Sequence, residues 1–119
     1  MTLPVLGAAF VRIALSSATE EGIWEPFRPG IRIRRLYGSQ TDGPSAALLR
    51  YEPGTHLTEH THRGFEHIVV LEGEQADERG TYPAGTLVVN PPGTRHRVWS
   101  TPGCVVLVIW ERPVELHDG

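Results

Sequence analysis

The stretch Gly54 to Gly73, GTHLTEHTHRGFEHIVVLEG, constrains this chain more than any other. It sets His60, His62 and Glu66, three strong metal-ligand types, close together. Neighbouring side chains on a strand point to opposite faces, so residues two and four apart share a face. If the chain is extended there, His60 and His62 project together and Glu66 keeps the same parity. The apolar run Ile68-Val69-Val70-Leu71 that follows has strand character. The economical expectation is one strand carrying two imidazoles and a carboxylate into an interior. Burying a carboxylate among apolar groups without a cation is costly, so the spacing points to a metal.

A second stretch, Gly85 to Ser100, reads GTLVVNPPGTRHRVWS and supplies His96 shortly after a Pro-Pro-Gly turn. A fourth ligand from a separate strand would close the site. Three neutral imidazoles and one carboxylate suit one divalent first-row transition metal per chain, and Fe, Zn, Mn and Ni all accept that set.

These two stretches resemble the paired motifs of the cupin superfamily. The first family motif is Gly, five residues, His-x-His, three or four residues, Glu, six residues, Gly. Here it falls on Gly54, His60, His62, Glu66 and Gly73. The second is Gly, five residues, Pro-x-Gly, two residues, His, three residues, Asn. Here it falls on Gly85, Pro91, Gly93 and His96, with Ser100 in place of the Asn. The wording VVLEGE, DERGTYPAGTLVVNPPGTRHRV and GCVVLVIW is similar to the cupin-like domain of ChrR-type anti-sigma factors and their stand-alone relatives. The resemblance implies an all-β double-stranded β-helix, an RmlC-like jelly-roll barrel with little helix. It also implies metal ligation by His60, His62, Glu66 and His96, and a homodimer.

At 119 residues the chain is expected to form a single domain, residues 1–119, with one core. Its 13 Gly and 10 Pro are spread along the sequence, as many short strands joined by turns require. A net charge of −3 gives no electrostatic footprint for nucleic acid or an anionic membrane. All 11 basic residues are Arg. The absence of Lys excludes Schiff-base chemistry and a phosphate-binding P-loop. The single Cys104 excludes an internal disulfide framework and a Cys-x-x-Cys pair. The apolar N-terminus lacks a basic n-region and is broken by Arg12, so it is expected to be part of the fold. No apolar run approaches the roughly 20 residues of a membrane span. A cytoplasmic protein is the expectation.

Along the chain, residues 8–14 read as a short strand or helical turn, and 16–22 as a connection. IRIRRLY at 31–37 alternates like a half-buried strand. Residues 45–52 read as a strand ending at Pro53-Gly54, 66–72 as the central strand, and 74–83 as a hairpin with Arg79-Gly80 near its tip. TLVVN at 86–90 ends at the Pro-Pro-Gly turn. Residues 95–100 and 104–110 are expected to pair through Thr101-Pro102-Gly103, and the tail after Arg112 to be loose or packed on a partner. Cys104 opens an apolar strand and reads as an inert core thiol.

His56 shares the parity of His60 but follows a turn, so it reads as a rim residue. His67 should face away from Glu66, and His117 should be solvated. Glu59 and Arg63 read as surface charge. Tyr51, Arg50, Trp99 and Trp110 are candidate barrel-lining residues, although the parity of Val98 and Ser100 with His96 leaves Trp99 on the other face. Tyr37 and Tyr51 are candidate pocket walls, with core packing the plainer role. Four protein ligands leave one or two positions of an octahedral metal for water, dioxygen or a bidentate substrate. Two functions stay open on this sequence, while a storage-type or structural barrel that has lost metal is disfavoured by the intact motif ligands. One is a small-molecule metalloenzyme, dioxygenase-like, in which Glu66 is both ligand and catalytic proton acceptor. The other is a metal-dependent sensor or ligand-binding module. ChrR-type proteins sense stress with such a domain, but they carry a separate N-terminal zinc domain with His and Cys ligands. This chain has no Cys or His before position 56, so direct anti-sigma activity is not carried over.

Overall fold

The computed structural model describes residue 15 and residues 22–39 and 41–117. The expected element at 8–14 and most of the connection at 16–22 lie outside the described residues. Ten strands follow: β1 (Glu25–Arg28), β2 (Ile31–Tyr37), β3 (Ser45–Tyr51), β4 (Thr55–Thr61), β5 (Glu66–Asp77), β6 (Gly80–Pro83), β7 (Leu87–Asn90), β8 (Arg95–Ser100), β9 (Cys104–Trp110) and β10 (Glu115–Leu116). No α-helix occurs among the described residues. None of them forms a helix long and apolar enough to cross a membrane.

Every strand pairing is antiparallel. One sheet runs β1-β2-β3-β9-β5-β7 and the other β10-β4-β8-β5-β6. Strand β5 belongs to both, and its length lets it cross from one sheet to the other. Residues 66–73 pair with β9, and residues 74–77 pair with β6. The two sheets thereby curl around one interior, which is the all-β cupin architecture.

The alternation in β2 buries Ile31 and Ile33 and leaves Arg32 outside. CVVLVIW becomes β9, flanked on both sides by β3 and β5. A strand with neighbours on both edges reads as a nearly continuous apolar run. Val70, Val106, Val108, Leu49 and Ile33 meet in the core. Where the central strand passes from β9 to β6, Gly73 has φ 72°, and a Cβ there would run into the Gly103 carbonyl oxygen. Only glycine satisfies both demands.

Three expectations are corrected. Strands β8 and β9 do not pair. Thr101-Pro102-Gly103 carries the chain from one sheet to the other, and β8 lies between β4 and β5 instead. Gly103, at φ 87°, directs Cys104 alongside Tyr51 of β3 rather than closing a hairpin. The central strand runs to Asp77, beyond the expected end at 72. The tail is not loose up to residue 117. Glu115 and Leu116 pair with Thr61 and His60, and the His117 N–H donates to the Glu59 carbonyl at 2.8 Å.

Candidate metal centre

Strands β4 and β8 lie side by side, and His60 is the direct cross-strand partner of His96. The register is interrupted just before that pair. Leu57 to His60 advances three residues where Val98 to His96 advances two. This β-bulge flips the parity of β4. Leu57 and His60 therefore both turn inward, while His56 lies outside, stacked on Trp99 at 6.5 Å.

The expectation of one strand carrying His60, His62 and Glu66 is also corrected. Strand β4 ends at Thr61, the chain turns through 62–65, and Glu66 opens β5. His62 is held in that turn by backbone bonds to the loop before β8. Its N–H donates to the Thr94 carbonyl at 2.8 Å, and the Gly93 N–H donates to the His62 carbonyl at 2.8 Å. The Pro-Pro-Gly turn thus positions a ligand of the other motif as well as His96.

The structure brings His60, His62, Glu66 and His96 together: one ligand atom from each lies within 4.8 Å of all the others, and all four residues are buried. The three rings meet edge to face, with centroids 4.6–5.2 Å apart. The tautomers follow by elimination. His60 Nδ1 lies 3.0 Å from the Thr58 carbonyl, which can only accept. His96 Nδ1 lies 2.9 Å from a carboxylate oxygen of Asp77. His62 Nδ1 lies 3.0 Å from Thr94 Oγ1, whose single proton is donated to the Pro91 carbonyl at 2.6 Å. Each Nδ1 is therefore the donor, and the neutral form of each ring turns its Nε2 lone pair inward.

The inward atoms fit a cation. His96 Nε2 and His60 Nε2 are 3.0 Å apart, a pair that one shared proton or one metal ion can bridge. His62 Nε2 is buried with no hydrogen-bond partner and lies 3.0 Å from Glu66 Oε1. One proton relieves one of these contacts, whereas one metal ion satisfies all four atoms together. The outer hydrogen bonds are those that fix ligand tautomers in metal sites.

Burial presses the pKa of His60 down to about 4. For Glu66 burial works upward, but the His62 ring 3.0 Å away, the His60 ring and the Asn90 side chain outweigh it and hold the carboxyl below its usual range. Asn90 Nδ2 donates to Glu66 Oε1 at 2.9 Å. Asp77 behaves likewise: burial raises its pKa, and hydrogen bonds from His96, Tyr82 and the Arg79 N–H bring it below the ordinary value.

Beside the cluster lies a cavity of about 30 Å³, bounded by His60, Glu66 and His96 on one side and by largely apolar walls elsewhere. Such a volume admits about two water molecules. Tyr51 and Trp110 line it, and Gln75 and Arg28 add polar groups. Arg50 and Trp99 do not; Arg50 lies over the Trp24 ring at 5.2 Å. Tyr37 is half exposed and is no pocket wall. Burial pushes the Cys104 thiol up to about 11, as an inert core thiol requires. His67 faces outward into a groove with Phe65, Val89 and Ile109. His117 is not simply solvated, since its Nε2 lies 2.6 Å from Thr61 Oγ1. Ser100 donates to the Glu74 carbonyl at 2.6 Å and is fully buried.

Sequence reasoning did not single out Asp77, Asn90 or Thr94. Counting from Glu66, Asp77 has the wrong parity, and a bulge between Val70 and Glu72 corrects it. Asn90 is the cross-strand partner of Glu66. Its position five residues after Gly85 was the available signal, because it ends the strand that pairs with the start of β5.

The model of the ChrR cupin-like domain family matches residues 14–114. No curated protein matches the chain in sequence. Among solved structures, an RmlC-like cupin protein from Ralstonia eutropha JMP134 aligns with a TM-score of 0.73 at 21% identity, covering 81% of this chain and 67% of that one. A chain of the Rhodobacter sphaeroides complex of SigE with the anti-sigma ChrR aligns with a TM-score of 0.67 at 26% identity over 76% of this chain. This chain spans about half of that one, 49% of its length. An acetylacetone dioxygenase from Acinetobacter johnsonii aligns with a TM-score of 0.76 at 16% identity, covering 99% of this chain and 83% of that one. The first and third likenesses concern the fold alone.

Proposed function

This chain belongs to the family of ChrR cupin-like domains, and on that premise we propose that it binds one divalent transition metal through His60, His62, Glu66 and His96 and uses it on a small molecule. The observation that carries this reading is the convergence of three Nε2 lone pairs and the Glu66 carboxylate on one buried point. Bound there, Fe(II) supplies dioxygen activation, whereas Zn(II) or Ni(II) supplies Lewis acidity. The residues do the rest. Asn90 keeps Glu66 ionised and oriented, so the carboxylate can act as ligand and as proton acceptor. The largely apolar walls limit the polar groups that compete with a bound ligand on the cavity side. The form of this reading is a dioxygenase-like oxidoreductase, a chemistry that an acetylacetone dioxygenase carries on the same fold. The test is oxygen uptake by the Fe(II)-loaded protein with small diketones and thiols. Uptake that disappears in His96→Ala supports this reading, and no uptake with any of them contradicts it.

Two observations favour a second reading, a metal-dependent sensor or ligand-binding module. The cavity of about 30 Å³ takes a water-sized or diatomic ligand before a larger substrate, and the SigE–ChrR complex is a structural neighbour. A metal-loaded protein that binds small ligands without turnover would support that reading. A homodimer is part of either proposal. Val89 and Ile109 flank His67 in one row, with Leu87, Val69 and Leu107 in the next, and Leu87, Val89 and Ile109 are exposed. A second copy, bringing the same apolar rows under a two-fold axis, suits this face.

A further inference from the structure

Of the three imidazoles, His96 alone donates its Nδ1–H to an anion. The distance to Asp77 Oδ2 is 2.9 Å, and each side chain is 2% exposed. His60 donates to a backbone carbonyl and His62 to a hydroxyl. We propose that Asp77 is a fifth, positioning member of the centre: it fixes the His96 ring and strengthens His96 Nε2 as a donor to the metal. The inference rests on the metal-binding reading above and assigns a role within it.

Asp77 is itself held in place. Its Oδ1 accepts the Arg79 N–H and the Tyr82 hydroxyl, both at 2.8 Å. These contacts close the hairpin between β5 and β6 and leave Oδ2 to His96 at 2.9 Å, with the largely exposed Arg79 guanidinium farther off at 3.9 Å. A residue serving the hairpin alone needs Oδ1 only. It has no reason to bury a second oxygen against a ring of the cluster. The charge balance agrees. A divalent ion with three neutral rings and the Glu66 carboxylate leaves one positive charge in the interior. The Asp77 carboxylate, one imidazole away, cancels it, and an uncompensated buried charge is costly. The hairpin tip is thereby tied to the metal through one side chain.

The test uses Zn(II) as the probe, in competition with a chromophoric chelator. Asp77→Asn keeps the shape and removes the charge, and should weaken Zn(II) binding roughly 10- to 100-fold. Tyr82→Phe removes one Oδ1 contact of the hairpin and should stay within about threefold. An Asp77→Asn variant within about threefold of wild type, or a Tyr82→Phe variant that loses as much as Asp77→Asn, overturns the inference. Imidazole proton NMR of the Zn(II)-loaded wild type needs no variant to fold. The Nδ1–H of His96 should resonate well downfield of those of His60 and His62. Three protons in one range overturn the inference alone, whereas a wild type that binds no Zn(II) overturns the metal-binding reading beneath it.

Discussion

His60 and His96 face each other with their Nε2 atoms 3.0 Å apart and both Nδ1 protons committed elsewhere. A metal between them takes a bond from each ring, so losing either partner ring should show directly in metal content. His62→Ala and His96→Ala should each lower bound metal by more than about tenfold, because a three-ligand remnant keeps one inward position unfilled. His117→Ala should leave metal content unchanged, since that ring bonds Thr61 outside the cluster. Equal loss in all three variants, or in none, would contradict the ligand set. The metal-free protein carries a second residue-scale signature. Burial holds His60 at about 4 against an ordinary 6.5. The unfolded chain therefore takes up this proton first as the pH falls. Stability from this group is full above pH 6.5 and declines between 6.5 and about 4, by about 3 kcal/mol in all. Glu66 and Asp77, both held low, extend the decline below pH 4 or so. Urea midpoints of metal-free protein at three pH values across that range check this. A flat profile would contradict the burial of a neutral His60.

At the scale of elements, the parity that identifies ligands within a short run fails across irregularities. The spacing of His60, His62, Glu66 and His96 was readable because each residue stands a few positions from a glycine or Pro-Pro-Gly turn. The path between them was not readable, because a turn at 62–65 separates β4 from β5 and counting in twos does not detect a turn. The same limit hid Asp77, whose inward face depends on the bulge between Val70 and Glu72. The pairing of β8 was misread because Thr101-Pro102-Gly103 has the composition of a hairpin turn. The partners of β8 are chosen by long-range register with β4 and β5. One junction is tightly specified. Gly73 sits at φ 72°, with the Gly103 carbonyl where a Cβ would be. Gly73→Ala combines a left-handed backbone with a clash against backbone, and should destabilise by about 3 kcal/mol. Chemical denaturation measures it. A loss below about 0.5 kcal/mol would mean that the β5–β9 junction relaxes freely.

For the whole molecule, the all-β architecture was legible from short apolar runs separated by Gly and Pro turns, and the family from two motifs at matching spacing. The outer face of the β7-β5-β9 surface was less legible. Its Leu87, Val89 and Ile109 read as ordinary strand residues until the sheet places them in adjacent rows. If a second copy covers that face, sedimentation equilibrium of the wild type should give a dimer, and Val89→Glu with Ile109→Glu should give a folded monomer. A wild type that is monomeric at high concentration would contradict the homodimer.

The measurement that bears most directly on the account is the metal stoichiometry of untagged protein purified without chelators, followed by titration with Fe(II), Mn(II), Ni(II) and Zn(II). The account predicts about one divalent first-row ion per chain. Protein that arrives without metal and takes up none of the four would contradict it.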